Sequence, residues 1–399
     1  MTPANPPGRD DCITPGEVFT PVPWHQSLWD LRTAWAQSRG EGVTVAVLSS
    51  GVDGQQQQLD GQVARGRSFL PGAEADTSGD VDCVGLGTSL ASLVSAQPVD
   101  GVGFRGIAPD STILPVVVAE STWIAADDDP LSGTPGTVAA GLRYAVSEGA
   151  DVILVGGYLA EDDEALRAAV QEAIDEGVFV VAPVRDAAGE FSGTAYPAGY
   201  EGVLGVSAMA QDLTLVPGTE SGESVDIVAP GENIATAARG QGHAVAEGTA
   251  AAAALTAAVA ALVLGREPDL GPEDVAARVR ATAGPVGDED PAAVGSGLVD
   301  AARAVTETAP IVAAAQVSTG SPLRDPDPEV IAARAAADER RSGAGLVAAV
   351  GAAAAVFVWA VAWVIAVGRR RGWRAGVRRP APAPPQAEGV PRALFDTSG

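Results

Sequence analysis

The chain has 399 residues, of which 46% are hydrophobic, and this length and composition exclude a mainly disordered protein. Its formal net charge is −26, and the part before Arg369 carries about −31 from 18 arginines against 49 acidic side chains. Such an acidic body repels phosphate backbones, which excludes nucleic acid as a partner.

A Pro-rich extension covers residues 1–39. It places Trp24, Trp29 and Trp35 at roughly helical spacing, which predicts a lid that packs on the main domain. His25 follows Trp24 and is interpreted as a partly exposed, structural histidine.

From residue 42 the pattern alternates between short apolar runs and longer amphipathic stretches. The β-branched runs indicate buried strands, and the longer stretches indicate helices. This alternation predicts an α/β domain with a parallel sheet covered by helices on both faces. We predict strands over 43–48, 112–118, 151–155, 178–181, 203–208 and 225–228, and helices over 88–95, 136–148, 161–176 and 268–301.

The stretch 247–265 predicts a further helix, which follows a tight turn at Gly248 and Thr249. Alanine, the strongest helix former, dominates this stretch, and no charged side chain occurs until Arg266. A helix that is apolar on every face belongs inside a large core.

The end of the chain predicts a membrane anchor. Residues 307–342 are interpreted as a linker and juxtamembrane helix, and the uncharged run 343–368 exceeds the roughly 20 apolar residues that cross a bilayer. The arginines that follow predict a cytoplasmic, Pro-rich tail over 369–399 and a main domain outside the cytoplasm. The first residues show no signal-peptide pattern.

Cys12 and Cys83 allow one disulfide bond in an exported domain or two buried thiols in a cytosolic one, and the predicted topology favours the disulfide.

A set of short segments occurs in a fixed order along the chain: Gly42–Leu48, Gly51–Asp53, Gly85–Thr88, Gly106–Asp110, Tyr196–Ala198, Val228–Gly231, Gly248–Thr249 and Gly297–Asp300. Through these segments, residues 40–306 resemble the subtilisin-like serine protease family, whose motifs occur in the same order. With the extension and the anchor, the whole chain resembles the mycosin branch, the actinobacterial proteases tied to type VII secretion. The mycosins join a leader cysteine to one just ahead of the catalytic histidine, so the resemblance implies a disulfide bond between Cys12 and Cys83.

The resemblance also locates the catalytic positions. The family uses an aspartate, a histidine and a serine in this order, and the positions that match them hold Ser49, Leu86 and Ala250. The asparagine that donates to the developing oxyanion is matched by Asp186. All four catalytic groups are therefore absent, and the sequence predicts that the chain does not cleave peptides.

Substitute groups for catalysis are few. His243 lies ahead of Gly248 but would find no hydroxyl at position 250, and Asp53 is interpreted as a turn cap. Ser89 and Thr249 are candidate hydroxyls without an adjacent base. The acidic run 127–129 is a weak candidate for Ca²⁺, and a solvated loop is the preferred interpretation. We predict no cofactor and no metal site.

These expectations give three functional hypotheses. The first is a catalytically inactive mycosin-like pseudoprotease, anchored in the cell membrane, that serves as a scaffold for type VII secretion membrane subunits. The second is a module that binds extended peptides in the former substrate cleft, since the cleft strand 151–157 is retained. The third is an active serine endopeptidase, the label that the family as a whole would carry.

Overall fold

The computed structural model describes residues 12–71, 79–122, 124, 131–186, 193–287 and 289–307. The chain divides into two compact units, Met1–Ala313 and Ala314–Gly399. The second unit, which includes the predicted membrane helix over 343–368 and the basic tail, lies outside the described residues. All elements named below belong to the first unit.

A seven-stranded sheet, in which every pairing is parallel, forms the centre of the described part of the chain. The strand order is β2-β3-β1-β4-β5-β6-β7, so β1 lies between β3 and β4. The predicted parallel α/β fold is therefore confirmed. The strands are β1 (Thr44–Ser49), β2 (Arg67–Ser68), β3 (Thr112–Val117), β4 (Val152–Val155), β5 (Phe179–Pro183), β6 (Leu204–Met209) and β7 (Ile227–Pro230).

Two separate cores cover the two faces of the sheet. Because successive side chains of a strand point to opposite faces, Val45 and Val47 of β1 enter one core, while Ala46 and Leu48 enter the other. The first core includes α3 (Leu86–Ser95) and α6 (Thr249–Arg266), and the second includes α4 (Pro135–Ser147) and α5 (Glu164–Asp175). Burial on both faces explains why the strands are almost continuously apolar.

The helix α6 is the central element of the first core. Its residues from Thr249 to Leu264 are all buried, and it contacts β4, β5, β6 and β7 as well as α3. Small alanine side chains let a helix approach the sheet closely along its whole length. Among the described residues α6 alone has the length and apolar composition to cross a bilayer, and its burial is that of a core helix.

The structure differs from the sequence prediction after α6. The predicted helical tail over 268–301 is three short helices, α7 (Pro272–Ala281), α8 (Pro291–Val294) and α9 (Ala301–Thr306). The intervening backbone turns back to the sheet, where Leu298 bridges both Val228 and Gly284. The antiparallel hairpin of β8 (Ile234–Ala237) and β9 (His243–Ala246) was not predicted.

Residues 12–39 of the N-terminal extension pack on the main domain. It contains α1 (Trp24–Ser27) and α2 (Leu31–Trp35). Each of the three indole N–H groups donates to a backbone carbonyl of the domain: Trp24 to Glu232 and Asn233, Trp29 to Val299, and Trp35 to Ile107.

The expectation of a partly exposed His25 was wrong. The side chain is fully buried, and neither ring nitrogen has a hydrogen-bond partner. Its ring packs edge-on against Phe104, with 6.5 Å between the ring centroids. This apolar burial lowers the pKa of His25 to about 3, because the imidazolium would lose its solvation.

Candidate functional site

The four positions predicted to be catalytic lie at or just beyond the carboxyl edge of the sheet. Ser49 is the last residue of β1, and Asp186 follows β5 by three residues. Leu86 begins α3, and Ala250 is the second residue of α6. In open α/β sheets this edge is where ligands bind, so the fold places the four residues where a site is expected.

A buried hydrogen-bond network organises the start of α3. The carboxylate of Asp82 is fully buried and accepts bonds from the backbone N–H groups of Gly85 and Thr88, both at 2.8 Å. It also accepts from the hydroxyls of Ser50 at 2.9 Å and Thr88 at 2.7 Å. Since Ser50 accepts in turn from the N–H of Gly87, the end of β1 and the start of α3 are joined through Asp82.

Burial governs the electrostatics of Asp82. Desolvation raises the pKa of this carboxyl group, and the four hydrogen bonds act in the opposite direction. Because its oxygens already accept bonds from a helix start and a strand end, Asp82 acts as a structural cap. These partners leave Asp82 in a structural role, and not in the role of the aspartate that the resemblance matches to Ser49.

Neither Ser49 nor Leu86 can perform proton chemistry in this arrangement. The hydroxyl of Ser49 is buried and has no hydrogen-bond partner, and Ser49 carries no charge that could orient an imidazole. The side chain of Leu86 packs against the first core. A leucine cannot exchange a proton, so no general base occupies this position.

Other groups of the chain pack closely around the start of α6. Gly248 precedes the helix with φ of 94°, a conformation that favours glycine, and a Cβ at this position would lie 2.8 Å from Oδ2 of Asp186. The hydroxyl of Thr249 donates to the carbonyl of Val184 at 2.7 Å. The methyl group of Ala250 is buried. The helix start therefore contacts the end of β5 directly.

Tyr158 completes this region, and its role was not predicted. Its side chain is fully buried, and its hydroxyl donates to Oδ1 of Asp186 at 2.6 Å. Burial is the main cause that raises the pKa of Tyr158, and the hydrogen bond to Asp186 raises it further. The phenol therefore remains a protonated donor. The position of Tyr158 after Gly156 and Gly157 was a signal that β4 ends there, but nothing in the sequence paired this tyrosine with Asp186.

The structure also places the candidate substitutes for the lost groups. His243 lies on β9, where Nδ1 accepts from the N–H of Phe19 at 2.8 Å and Nε2 pairs with Gln58 Oε1 at 2.8 Å. Both ring nitrogens thus hold the extension and a neighbouring loop together. Desolvation lowers the pKa of His243, which further favours this neutral, structural form.

Asp53 is held by backbone donors. Its carboxylate accepts from the N–H of Gln55 at 3.0 Å, as a turn cap does, and from the N–H of Gly240 at 2.7 Å. Ser89 accepts a hydrogen bond from Thr236 at 3.2 Å. These contacts give Asp53 and Ser89 structural partners, and they bring no base to a hydroxyl.

Metal ligands do not cluster in the described part of the chain: no group of three or more histidine, cysteine, aspartate or glutamate side chains is placed to hold an ion there. The weak calcium candidate over 127–129 lies outside the described residues. Cys12 and Cys83 form the disulfide bond that the resemblance implied, and Ile13 next to it donates its N–H to the carbonyl of Cys83 at 3.0 Å. The disulfide therefore ties the extension to the segment that enters α3.

Sequence comparisons place this arrangement among known proteins. The model of the subtilase family, peptidase S8, matches residues 40–351. M-protease of Shouchella clausii (strain KSM-K16) is 31% identical over 285 residues, which are 71% of this chain and 70% of that protein. Subtilisin Savinase of Lederbergia lenta is 30% identical over 285 residues, which are 71% of this chain and 98% of that protein.

Solved structures extend the likeness to the mycosins. MycP1 from Mycobacterium smegmatis superposes with a TM-score of 0.67 at 26% identity and covers 80% of this chain and 93% of its own. The MycP3 protease from the type VII (ESX-3) secretion system superposes with a TM-score of 0.61 at 28% identity. That match covers 75% of this chain and 93% of MycP3.

Proposed function

This chain belongs to the subtilase family, and we propose that it is a non-catalytic, membrane-anchored relative of the mycosins and a structural subunit of a type VII secretion apparatus. In this proposal the protease fold is retained as a rigid body that binds membrane subunits. The main domain lies outside the cytoplasm, and residues 343–368 anchor it as a single helix.

The observation that carries the non-catalytic part is the chemistry at the carboxyl edge of the sheet. Peptide hydrolysis in this family needs a nucleophile, a base and a carboxylate that orients the base. The three positions hold Ala250, Leu86 and Ser49 instead. A methyl group and an isobutyl group can neither attack a carbonyl nor move a proton.

The charge of Asp186 opposes residual catalysis as well. A protease without its triad can retain a rate about 10³–10⁴ above water through its oxyanion hole and substrate binding. Asp186 lies beside the start of α6, where backbone dipoles favour a negative charge. The carboxyl group of Asp186 lies in the region where an oxyanion would have to develop, and it has no N–H group to donate to that oxyanion.

The partner class follows from the likeness to the mycosins. One solved MycP1 structure is described as a serine protease and an essential component of the type VII (ESX-1) secretion system, and it is 27% identical to this chain. The predicted anchor and the arginine-rich tail would hold the present chain beside membrane subunits of such a system.

The test is co-purification from mildly solubilised native membranes, with an affinity tag placed after Gly399 and mass spectrometry of the recovered proteins. We expect a secretion ATPase and its channel subunits, enriched over a control in which an unrelated single-pass protein carries the same tag. Recovery of the chain alone, or with soluble exported polypeptides, would contradict the scaffold role.

The non-catalytic part has its own test, since the curated relatives include named proteases. The purified full chain is incubated with fluorogenic casein, with and without a serine-directed sulfonyl fluoride. We expect no hydrolysis above a buffer control. Hydrolysis that the inhibitor abolishes would establish an active serine endopeptidase.

A further inference from the structure

Residues 156–159 continue β4 beyond the carboxyl edge of the sheet, in the former cleft. An exposed strand edge of this kind can bind an extended polypeptide through main-chain hydrogen bonds. In this structure the edge is already in use at Tyr158. Its N–H donates to the carbonyl of Thr122 at 2.8 Å, and its carbonyl accepts from the N–H of Ile124 at 2.9 Å.

The two segments also approach too closely to admit another strand. A Cβ added to Gly157 would lie 2.6 Å from the carbonyl oxygen of Thr122. Neighbouring strands lie about 4.8 Å apart, so a polypeptide inserted between them would need a gap of about twice that distance. Ile124 is 3% exposed, so its side chain is packed against the rest of the domain.

A side-chain hydrogen bond also holds Tyr158 in place. The hydroxyl of Tyr158 donates to Asp186, and Asp186 lies beside Gly248 at the start of α6. On the far side of residue 158, Leu159 and Tyr196 exchange backbone hydrogen bonds of 2.8 and 2.9 Å. The segment 156–159 is therefore held by three different parts of the chain.

We propose that Thr122, Ile124, Tyr158 and Asp186 form an internal latch that closes the former cleft, so that an extended polypeptide adds to this edge only after the latch is broken. Thr122 and Ile124 supply the backbone partners that such a polypeptide would otherwise supply. The inference concerns the same site as the proposed function and rests on its non-catalytic part.

The first test is hydrogen–deuterium exchange of the intact protein, read at single amides. The N–H groups of Tyr158 and Ile124 both donate to backbone carbonyls, so we expect them to exchange at least about 100-fold more slowly than in an unfolded chain. The buried amide of Leu154 in β4 provides the protected reference. Exchange of Tyr158 and Ile124 at the unfolded rate would overturn the latch.

The second test is binding of a defined probe, fluorescein-labelled lysozyme that has been reduced and carboxymethylated, measured by fluorescence anisotropy. Ile124→Pro removes one of the two backbone donors, and Tyr158→Phe removes the hydroxyl that bonds Asp186. We expect little binding to the wild type and a gain in affinity of about tenfold in each variant, the usual effect of one lost hydrogen bond on an equilibrium.

Tyr200→Phe is the matched control, because Tyr200 is also buried and its hydroxyl bonds the backbone of Asp163, which is not one of the four latch residues. This variant should bind the probe no better than the wild type. Equal binding by the wild type and the latch variants, or no binding by any of them, would overturn the proposal.

The same samples separate this inference from the proposed function. Cleavage of the probe, seen on a denaturing gel, would contradict the non-catalytic proposal and leave the binding result interpretable. Loss of the secretion partners in co-purification would contradict the scaffold role without affecting exchange at Tyr158.

Discussion

The starts of α3 and α6 resemble each other in their local structure. Each helix begins after a glycine, Gly85 or Gly248, that provides no side-chain cap, and each has a buried carboxylate beside it. At α3 the carboxylate of Asp82 accepts backbone N–H groups of the helix itself. At α6 the carboxylate of Asp186 accepts the hydroxyl of Tyr158, a residue from another strand.

The two carboxylates therefore have different effects: Asp82 stabilises the start of α3, whereas Asp186 and Tyr158 fill space beside the start of α6. Asp82 stabilises the backbone at the start of α3, next to Leu86, the residue that the resemblance matches to the family's histidine. Asp186 and Tyr158 instead occupy the space beside the helix start where substrate chemistry would take place. The proposed non-catalytic role therefore predicts that one half of the site is supported from within the helix and that the other half is closed by Tyr158 and Asp186.

The largest effect is expected from Asp82→Ala. The substitution leaves four buried donors without their acceptor, from Ser50, Gly85 and Thr88, and each such group costs about 1–3 kcal/mol. We expect the free energy of unfolding to fall by at least about 3 kcal/mol in urea titrations followed by tryptophan fluorescence. Asp60→Ala, at an exposed position, is the control. A loss no larger than that of the control would refute the structural role of Asp82.

The second effect concerns the covalent link that only the α3 side possesses. The disulfide bond closes a sequence separation of 71 residues, and loops of this length typically contribute about 2–4 kcal/mol by restricting the unfolded chain. We expect the double variant Cys12→Ser, Cys83→Ser to lose that amount in the same titration. An unchanged urea midpoint would show that the Asp82 network alone holds the start of α3.

The third prediction uses His25, a buried ionisable group in the N-terminal extension. The pKa of His25 is about 3 in the folded protein and 6.5 in its ordinary state, so the unfolded chain binds the proton first as the pH falls. Its stability contribution is complete above pH 6.5 and is lost progressively towards pH 3. At pH 5 the loss is about 2 kcal/mol.

Thermal unfolding of wild type and His25→Leu at pH 7.5 and pH 5 measures this contribution. We expect the unfolding midpoint of the wild type to fall more between the two values than that of the variant. The raised pKa of Asp82 acts with the opposite sign, since its cost grows as the pH rises above 3.8, but it is common to both proteins. Equal shifts in the two proteins would show that His25 is hydrated or hydrogen-bonded in solution.

The smallest effect is expected from restoring the catalytic groups. The fourfold variant Ser49→Asp, Leu86→His, Asp186→Asn, Ala250→Ser should remain without detectable hydrolysis of fluorogenic casein, because Thr122 and Ile124 still pair with Tyr158. An active subtilisin assayed in parallel sets the detection limit. Robust cleavage would show that the cleft is open and would erase the contrast between the two helix starts.

The sequence by itself determined the fold class, and it predicts which catalytic groups are absent. Alternating apolar runs and the uncharged, alanine-rich stretch of α6 indicate a parallel sheet with a buried central helix, because burial on both faces demands continuous hydrophobicity. Identities at single positions, such as Leu86 and Ala250, suffice to predict the loss of a base and a nucleophile. The order of the family's motifs supplied the positions.

Only the tertiary structure decided which residues lie beside the four matched positions. Tyr158 carries no local pattern, because Thr122, Ile124 and Asp186 lie in other segments and meet it only when the strands align at one edge of the sheet. Asp82 bonds Gly85 and Thr88 nearby, but its link to Ser50 depends in the same way on the end of β1. The burial of His25 likewise depends on Phe104, which is remote in the sequence. Periodicity reports which face of an element is buried, whereas hydrogen bonds between distant segments depend on the path of the whole chain.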